Sequence, residues 1–125
     1  MIKVDPSKVI GVVFTQLTDS HAAETEPDET TSAIADHLLT FFNKEISEGR
    51  LTKSLMPLQA GIGKVANSVL SGLAKGDFEN LTMYSEVLQD STFELLDSGK
   101  MTVASASSLT VTQKCYNYLL ENFDQ

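Results

Sequence analysis

The apolar residues of this chain alternate between two spacings, and that alternation constrains the fold more than any other feature. Val9-Ile10-Gly11-Val12-Val13-Phe14 is a continuous run rich in β-branched residues, which reads as a strand buried on both faces. A polar loop over residues 16–29 follows, closed by Pro27-Asp28. From about Thr30 to Glu48 the spacing becomes helical, with Ile34, Leu38, Phe41, Phe42 and Ile46 in one stripe and Gly49 placed as a stop. Leu55 to Ala60 has the length of a short edge-like strand, weakened by Pro57. A second helix is predicted from Gly63 to Lys75, with Val65, Val69, Leu70 and Leu73 on one side and Gly76 beyond its end. Leu81-Thr82-Met83-Tyr84 is the next strand, and Phe93, Leu95 and Leu96 mark a short helix stopped by Gly99. Met101 to Ser105 is a further strand. Thr110-Val111-Thr112-Gln113 has capping-box spacing before a last amphipathic helix of Cys115, Tyr116, Leu119, Leu120 and Phe123.

Strands that alternate with helices need crossover connections, so the fold class is α/β: a mainly parallel open sheet with flanking helices. The last helix has no strand to return to. The sheet therefore looks unfinished, and the expectation is an incomplete domain. An unfinished sheet leaves an edge or helix face uncovered, which favours a homo-oligomer.

Composition narrows the partners. A chain of 125 residues is one domain at most, and 42% apolar with 21% charged residues is ordinary for a soluble protein. No stretch approaches the length of a membrane span, and the N-terminus lacks the apolar core of a signal peptide. The single cysteine, Cys115, excludes an internal disulfide and fits a reducing, cytoplasmic location. It falls on an apolar helix face, where packing is its expected role. The net charge of −8 opposes binding to nucleic acid or anionic membrane. Asp19, Glu24, Glu26, Asp28 and Glu29 cluster in the polar loop, whereas Lys44, Arg50, Lys53, Lys64 and Lys75 follow later. The later region would draw an anionic ligand, although solvated surface lysines account for most of it. His21-x-x-Glu24-x-Glu26 has loose metal-ligand spacing, but a solvated loop is the simpler account and no metal site is expected.

Two segments carry candidate chemistry. Gly61-Ile62-Gly63-Lys64-Val65-Ala66-Asn67 puts glycines at a helix start, where a ligand can approach bare backbone near an electropositive helix end. Tyr84-Ser85-Glu86-Val87-Leu88-Gln89-Asp90 puts an acid at a strand end. Gly61-x-Gly63-x-x-Ala66 also fits a dinucleotide fingerprint, with Glu86 as the ribose acid of a nucleotide-binding α/β domain. Pro57 in the preceding segment and the mid-chain position of the fingerprint speak against that. A central strand before Gly61, paired on both sides, would favour the dinucleotide site; an irregular approach would not. Acids at strand ends are common, so placement alone does not make Glu86 catalytic. Gln89 and Asp90 stand where they could orient Glu86, and Asp90 could equally cap a helix. Asn67, one helical turn beyond Gly63, could face a site or solvent. Tyr84 shares a strand face with Glu86, where it could simply be packed.

Gln59 to Leu70, followed by Phe78 to Asp90, resembles the acetyl-CoA hydrolase / CoA-transferase family, which includes acetate, succinate and 4-hydroxybutyrate CoA-transferases. The resemblance continues through Asp97-Ser98-Gly99-Lys100 and Ala104-Ser105-Ala106-Ser107-Ser108-Leu109, and takes in the opening strand and acidic loop. It implies that residues 1–125 are a fragment, the front part of the C-terminal domain, with a CoA-transferase-like fold. It implies an acyl-CoA:carboxylate CoA-transferase, or an acyl-CoA hydrolase of the same family. Coenzyme A is then a substrate, with no permanently bound cofactor, and the partners are an acyl-CoA, a small carboxylate and the rest of the same polypeptide.

In this family the glutamate of the Tyr-x-Glu-Val motif is the nucleophile, here Glu86. The middle residue of the glycine turn, here Ile62, offers its backbone N–H to an oxyanion. Gly61, Gly63 and Asn67 are the candidate substrate-binding residues. Two positions depart from the pattern: Ser85 stands where Thr is usual, and Lys64 where a small or amide residue is usual. The family's second glycine-rich loop and first domain do not fall within these residues, so the isolated chain is expected to be inactive.

Overall fold

The run Leu81-Thr82-Met83-Tyr84 becomes the strand on which everything else is hung. The computed structural model describes residues 3–17 and 27–122. The histidine and carboxylates of residues 19–26 and the predicted helical residue Phe123 lie outside them. Strand β1 (Leu81–Tyr84) pairs in parallel with a strand far along the chain, Met101–Ser105. On its other flank the Leu58 amide donates to the Thr82 carbonyl at 2.8 Å, and the Tyr84 amide donates to the Leu58 carbonyl at 2.9 Å. The predicted edge-like strand thus shrinks to one parallel bridge. Pro57, which lacks an N–H, precedes it directly.

Beyond β1 the chain bends and pairs again. β2 (Val87–Leu88) leads into α3 (Asp90–Asp97), which crosses over to β3 (Met101–Ser105) and β4 (Ser108–Leu109). β2 lies parallel to β4, with Val87 opposite Ser108 and Leu88 opposite Leu109. The sequence pattern did not mark these two-residue strands, because two residues establish no period. The βα crossover and the parallel pairing are as expected for the α/β class.

Two helices precede the strands: α1 (Glu29–Ser47) and α2 (Lys64–Lys75). Asp28 caps α1 by accepting from the Thr31 amide at 2.9 Å, and Gly49 ends it with φ +74°. Only part of the expected stripe faces inward. Phe42 and Ile46, joined by Leu39, pack on the core, whereas Ile34, Leu38 and Phe41 stay exposed. The contact runs along α2, where a β-carbon on Gly72 would overlap the Leu39 side chain. The core joins Leu70 and Leu73 of α2, Phe78, Leu81 and Met83 of the central strand, Leu88, Leu95 of α3 and Met101.

Helix α4 (Gln113–Glu121) differs from its expected start. Its cap is Thr112, which accepts from the Cys115 amide at 3.3 Å, so the box expected at Thr110–Gln113 does not form. Asp90 is not a cap either. It is the first residue of α3, and its carboxylate accepts from the Thr112 amide at 2.9 Å and the Thr112 hydroxyl at 2.5 Å. One carboxylate therefore ties the start of α3 to the start of α4.

The opening run is the main correction. Residues Val9 to Phe14 form no strand, and Ile10 and Phe14 are 106% and 94% exposed. A strand buried on both faces needs a neighbour in the sheet and a cover above and below. Among the described residues the sheets reach no farther than Leu58, and β-branched composition alone supplies no pairing partner. No helix among the described residues is long and apolar enough to cross a membrane.

Leu81 is fully buried at the centre of the core, with 0% exposure. Leu81→Ala is expected to destabilise the fold by about 2–5 kcal/mol, the usual range for a buried leucine truncation, measurable by urea denaturation.

Candidate functional site

Parallel pairing fixes where the two candidate segments emerge. Leu58 runs parallel to β1, so the turn at Gly61–Gly63 leaves at the carboxyl edge, the same edge at which β1 releases Ser85 and Glu86. In open α/β sheets ligands bind at this edge. The segment before Gly61 is paired only through Leu58 and only on one flank. That irregular approach is the one the dinucleotide reading does not favour.

Two buried polar side chains join the segments. Ser85 is 7% exposed; its hydroxyl donates to the Ala60 carbonyl at 2.8 Å and lies 3.4 Å from the Ala60 amide as acceptor. Gln89 is equally buried, and its amide spans the turn. Its Nε2 donates to the Gly61 carbonyl at 2.9 Å, and its Oε1 accepts from the Gly63 amide at 3.2 Å. Ile62 sits between those anchors. Its own amide has no hydrogen-bond partner among the described residues, and its side chain is exposed. Gly63 has φ +126° and ψ 173°, a conformation essentially restricted to glycine. Gly61 needs no such conformation and has open space around its Cα.

Glu86 is exposed in the bend between β1 and β2. Its backbone is held firmly: the carbonyl accepts from the Ser107 amide at 3.2 Å, the Ser108 amide at 3.1 Å and the Ser107 hydroxyl at 2.9 Å. Gln59, Tyr84, Ser85 and Ser105–Ser107 join Glu86 around a hollow of about 480 Å³. Tyr84 is not packed; it is exposed and lines this hollow. Ile62, Gly63 and Asn67 line a second hollow of about 690 Å³, bounded by α2, α3 and α4. The site residues thus share an edge but divide between two hollows. Asn67 is half-buried and faces α3, where its side-chain oxygen accepts from the Ser91 hydroxyl at 2.9 Å. Lys64 pairs with Asp28 at 3.6 Å in an exposed contact.

Cys115 lines the larger hollow. Burial, with Asp90, Asp97 and Glu94 nearby, pushes its thiol up to about 11. The Tyr118 hydroxyl, which donates to Asp97 at 2.5 Å, is also raised, chiefly by that hydrogen bond. Among the described residues no group of three or more His, Cys, Asp or Glu side chains gathers as a metal site. The loop with His21, Glu24 and Glu26 lies outside the described residues.

The clamp residues are what sequence reasoning missed. Ser85 stood out only as a departure from Thr, and Gln89 only as a possible orienter of Glu86. Gln89 instead holds the glycine turn. A polar pair flanking the acid was visible, but its burial depends on the turn folding over it.

The chain is 46% identical over 123 residues to an acetyl-CoA hydrolase of Schizosaccharomyces pombe, covering 98% of the chain and 24% of that protein. It is 42% identical over 123 residues to the acetyl-CoA hydrolases of Neurospora crassa and Saccharomyces cerevisiae, each time over 98% of the chain and 23% of the relative. The chain belongs to the acetyl-CoA hydrolase / CoA-transferase family. No protein-family model matches it. The chain spans about a quarter of the length of these curated relatives. Within the α/β architecture of this chain, the turn at Gly61–Gly63 is tied by Ser85 and Gln89 to the segment that carries Glu86.

The two glycines should respond differently to a methyl group. Gly63→Ala is expected to cost about 1–3 kcal/mol, the strain of a side chain at this φ, and Gly61→Ala far less; chemical denaturation of both variants checks this. The raised Cys115 thiol predicts slow alkylation of the native protein near pH 8, accelerating on unfolding, as read by intact mass.

Proposed function

We propose that this chain carries the nucleophile half of an acyl-CoA-cleaving site, with Glu86 as the nucleophile and the Ile62 N–H as an oxyanion donor. The observation that carries this reading is the hydrogen-bonded tie between the Glu86 segment and the glycine turn at one sheet edge. The names of the relatives support an acetyl-CoA thioester as substrate.

A Glu86 carboxylate oxygen attacks the acyl carbonyl carbon, the carbon–sulfur bond breaks, and CoA leaves as the thiolate. The product is an acyl-glutamyl anhydride. The thiolate then attacks the glutamyl carbonyl and releases the acyl group as a carboxylate, leaving a glutamyl-CoA thioester. Water attacks the glutamyl carbonyl, the carbon–sulfur bond breaks, and CoA leaves as the thiol while the Glu86 carboxylate is regenerated. Each addition places negative charge on a carbonyl oxygen, and a preorganised N–H aimed at it contributes about 3 kcal/mol. Ile62 suits this task because its amide is unspent while the amide of Gly63 is occupied by Gln89.

Transfer to a small carboxylate, the reaction expected from the resemblance, shares every step up to the glutamyl-CoA thioester. The relatives' names favour water as the final acceptor. In this reading the remainder of a longer polypeptide contributes the family's second glycine-rich loop and covers the hollow beside Glu86, which excludes bulk water from the anhydride.

Incubated with acetyl-CoA, the full-length polypeptide is expected to gain the mass of a CoA adduct, and its Glu86→Gln variant to gain none. An adduct that persists in the variant moves the nucleophile elsewhere. The isolated 125-residue chain, about a quarter of its relatives' length, is expected to show no turnover of acetyl-CoA in a thiol-release assay.

A further inference from the structure

We propose that Gln89 is a positioning residue that holds the Ile62 amide in place to receive the oxyanion. The inference rests on the nucleophile reading of Glu86 and assigns a task to a side chain that the chemistry itself does not use. Gln89 is 7% exposed, so its polar ends must be satisfied by protein. They are, by the two residues on either side of Ile62: the Gly61 carbonyl as acceptor and the Gly63 amide as donor. Only one orientation of the side-chain amide satisfies both, since the carbonyl can only accept and the N–H can only donate.

The geometry has a directional consequence. With the Gly61 carbonyl and the Gly63 amide both turned toward Gln89, the peptide planes on each side of Ile62 lose their freedom to rotate. The Ile62 N–H, which belongs to the same peptide plane as the Gly61 carbonyl, must then point opposite to it, away from Gln89. A trans peptide places N–H and C=O on opposite sides, so anchoring one aims the other. Gly63 itself cannot hold the turn, because glycine has no side chain and is free to leave its φ of +126°. Ser85 supports the neighbouring Ala60 but reaches neither plane beside Ile62.

Gln89 lies three residues beyond Glu86 in a segment whose backbone is pinned by β2–β4 pairing and by Ser107 and Ser108. The same segment therefore carries the nucleophile and fixes the donor, which keeps their separation constant. A glutamine suits this place better than a shorter or charged residue. Its amide bridges an acceptor and a donor simultaneously, whereas a carboxylate would oppose the Gly61 carbonyl.

The test uses the full-length polypeptide and acetyl-CoA as probe. Gln89→Met keeps the volume and removes both hydrogen bonds; Gln89→Glu keeps the acceptor for Gly63 and sets a carboxylate against the Gly61 carbonyl. Both are expected to form the Glu86–CoA adduct on the order of 100-fold more slowly, with KM for acetyl-CoA little changed, as loss of an oxyanion donor's aim requires. A packing role alone would leave Gln89→Met at the wild-type rate, and that result overturns the inference. Should the variants fail to fold, residue-resolved hydrogen exchange on the wild type decides. Protection at Gly63 with fast exchange at Ile62 supports the clamp, and fast exchange at Gly63 overturns it. Absence of any adduct on wild-type Glu86 overturns the nucleophile reading on which the inference rests, and the exchange pattern reports on the clamp separately.

Discussion

A buried glutamine amide that spans a glycine turn is the contact on which the arrangement of this edge depends. A polar side chain withdrawn from water carries a desolvation cost of a few kcal/mol unless its hydrogen bonds are replaced. Gln89 meets that condition only when Gly61 and Gly63 stand where they do. The turn and the segment bearing Glu86 thus form one unit. Neither can shift without exposing an unsatisfied buried group, which makes the geometry stiffer than a surface loop would be.

The rest of the molecule delivers that unit. β1 is the strand with neighbours on both flanks, Leu58 on one side and β3 on the other. Parallel pairing sends the chain out at one common edge, so two segments more than twenty residues apart arrive together. The core beneath, from Leu70 and Leu73 through Leu81, Met83, Leu95 and Met101, holds the edge against α2 and α3. Asp90 adds a second tie through Thr112, and so connects the site edge to the last helix. A hydrogen bond to a charged acceptor is worth more than a neutral one, about 1.5–3 kcal/mol.

Helical and strand periods proved legible where an element is long enough to show a period and packs on a neighbour contained in the described residues. α1, α2, α3, β1 and β3 all fall within a residue or two of where apolar spacing and glycine stops place them. The run Val9 to Phe14 fails that condition. Its composition is that of a buried strand, but a strand exists only as half of a pair, and no partner among the described residues reaches it. β2 and β4 fail for the opposite reason, since each is too short to show a period and exists because the other is there.

The candidate site divides along the same line. The glycines, the acid after β1 and their family resemblance are properties of local order along the chain, and the sequence by itself determined them. That Gly63 stands at φ +126°, a conformation essentially restricted to glycine, is a property of the folded turn. Which side chain would hold that turn was decided by tertiary structure alone. Gln89 lies more than twenty-five residues from Gly61 and Gly63, and only parallel pairing across β1 brings them within hydrogen-bond distance. A hydrogen bond needs a partner within about 3 Å, and separation along the chain carries no information about distances of that kind until the sheet has formed.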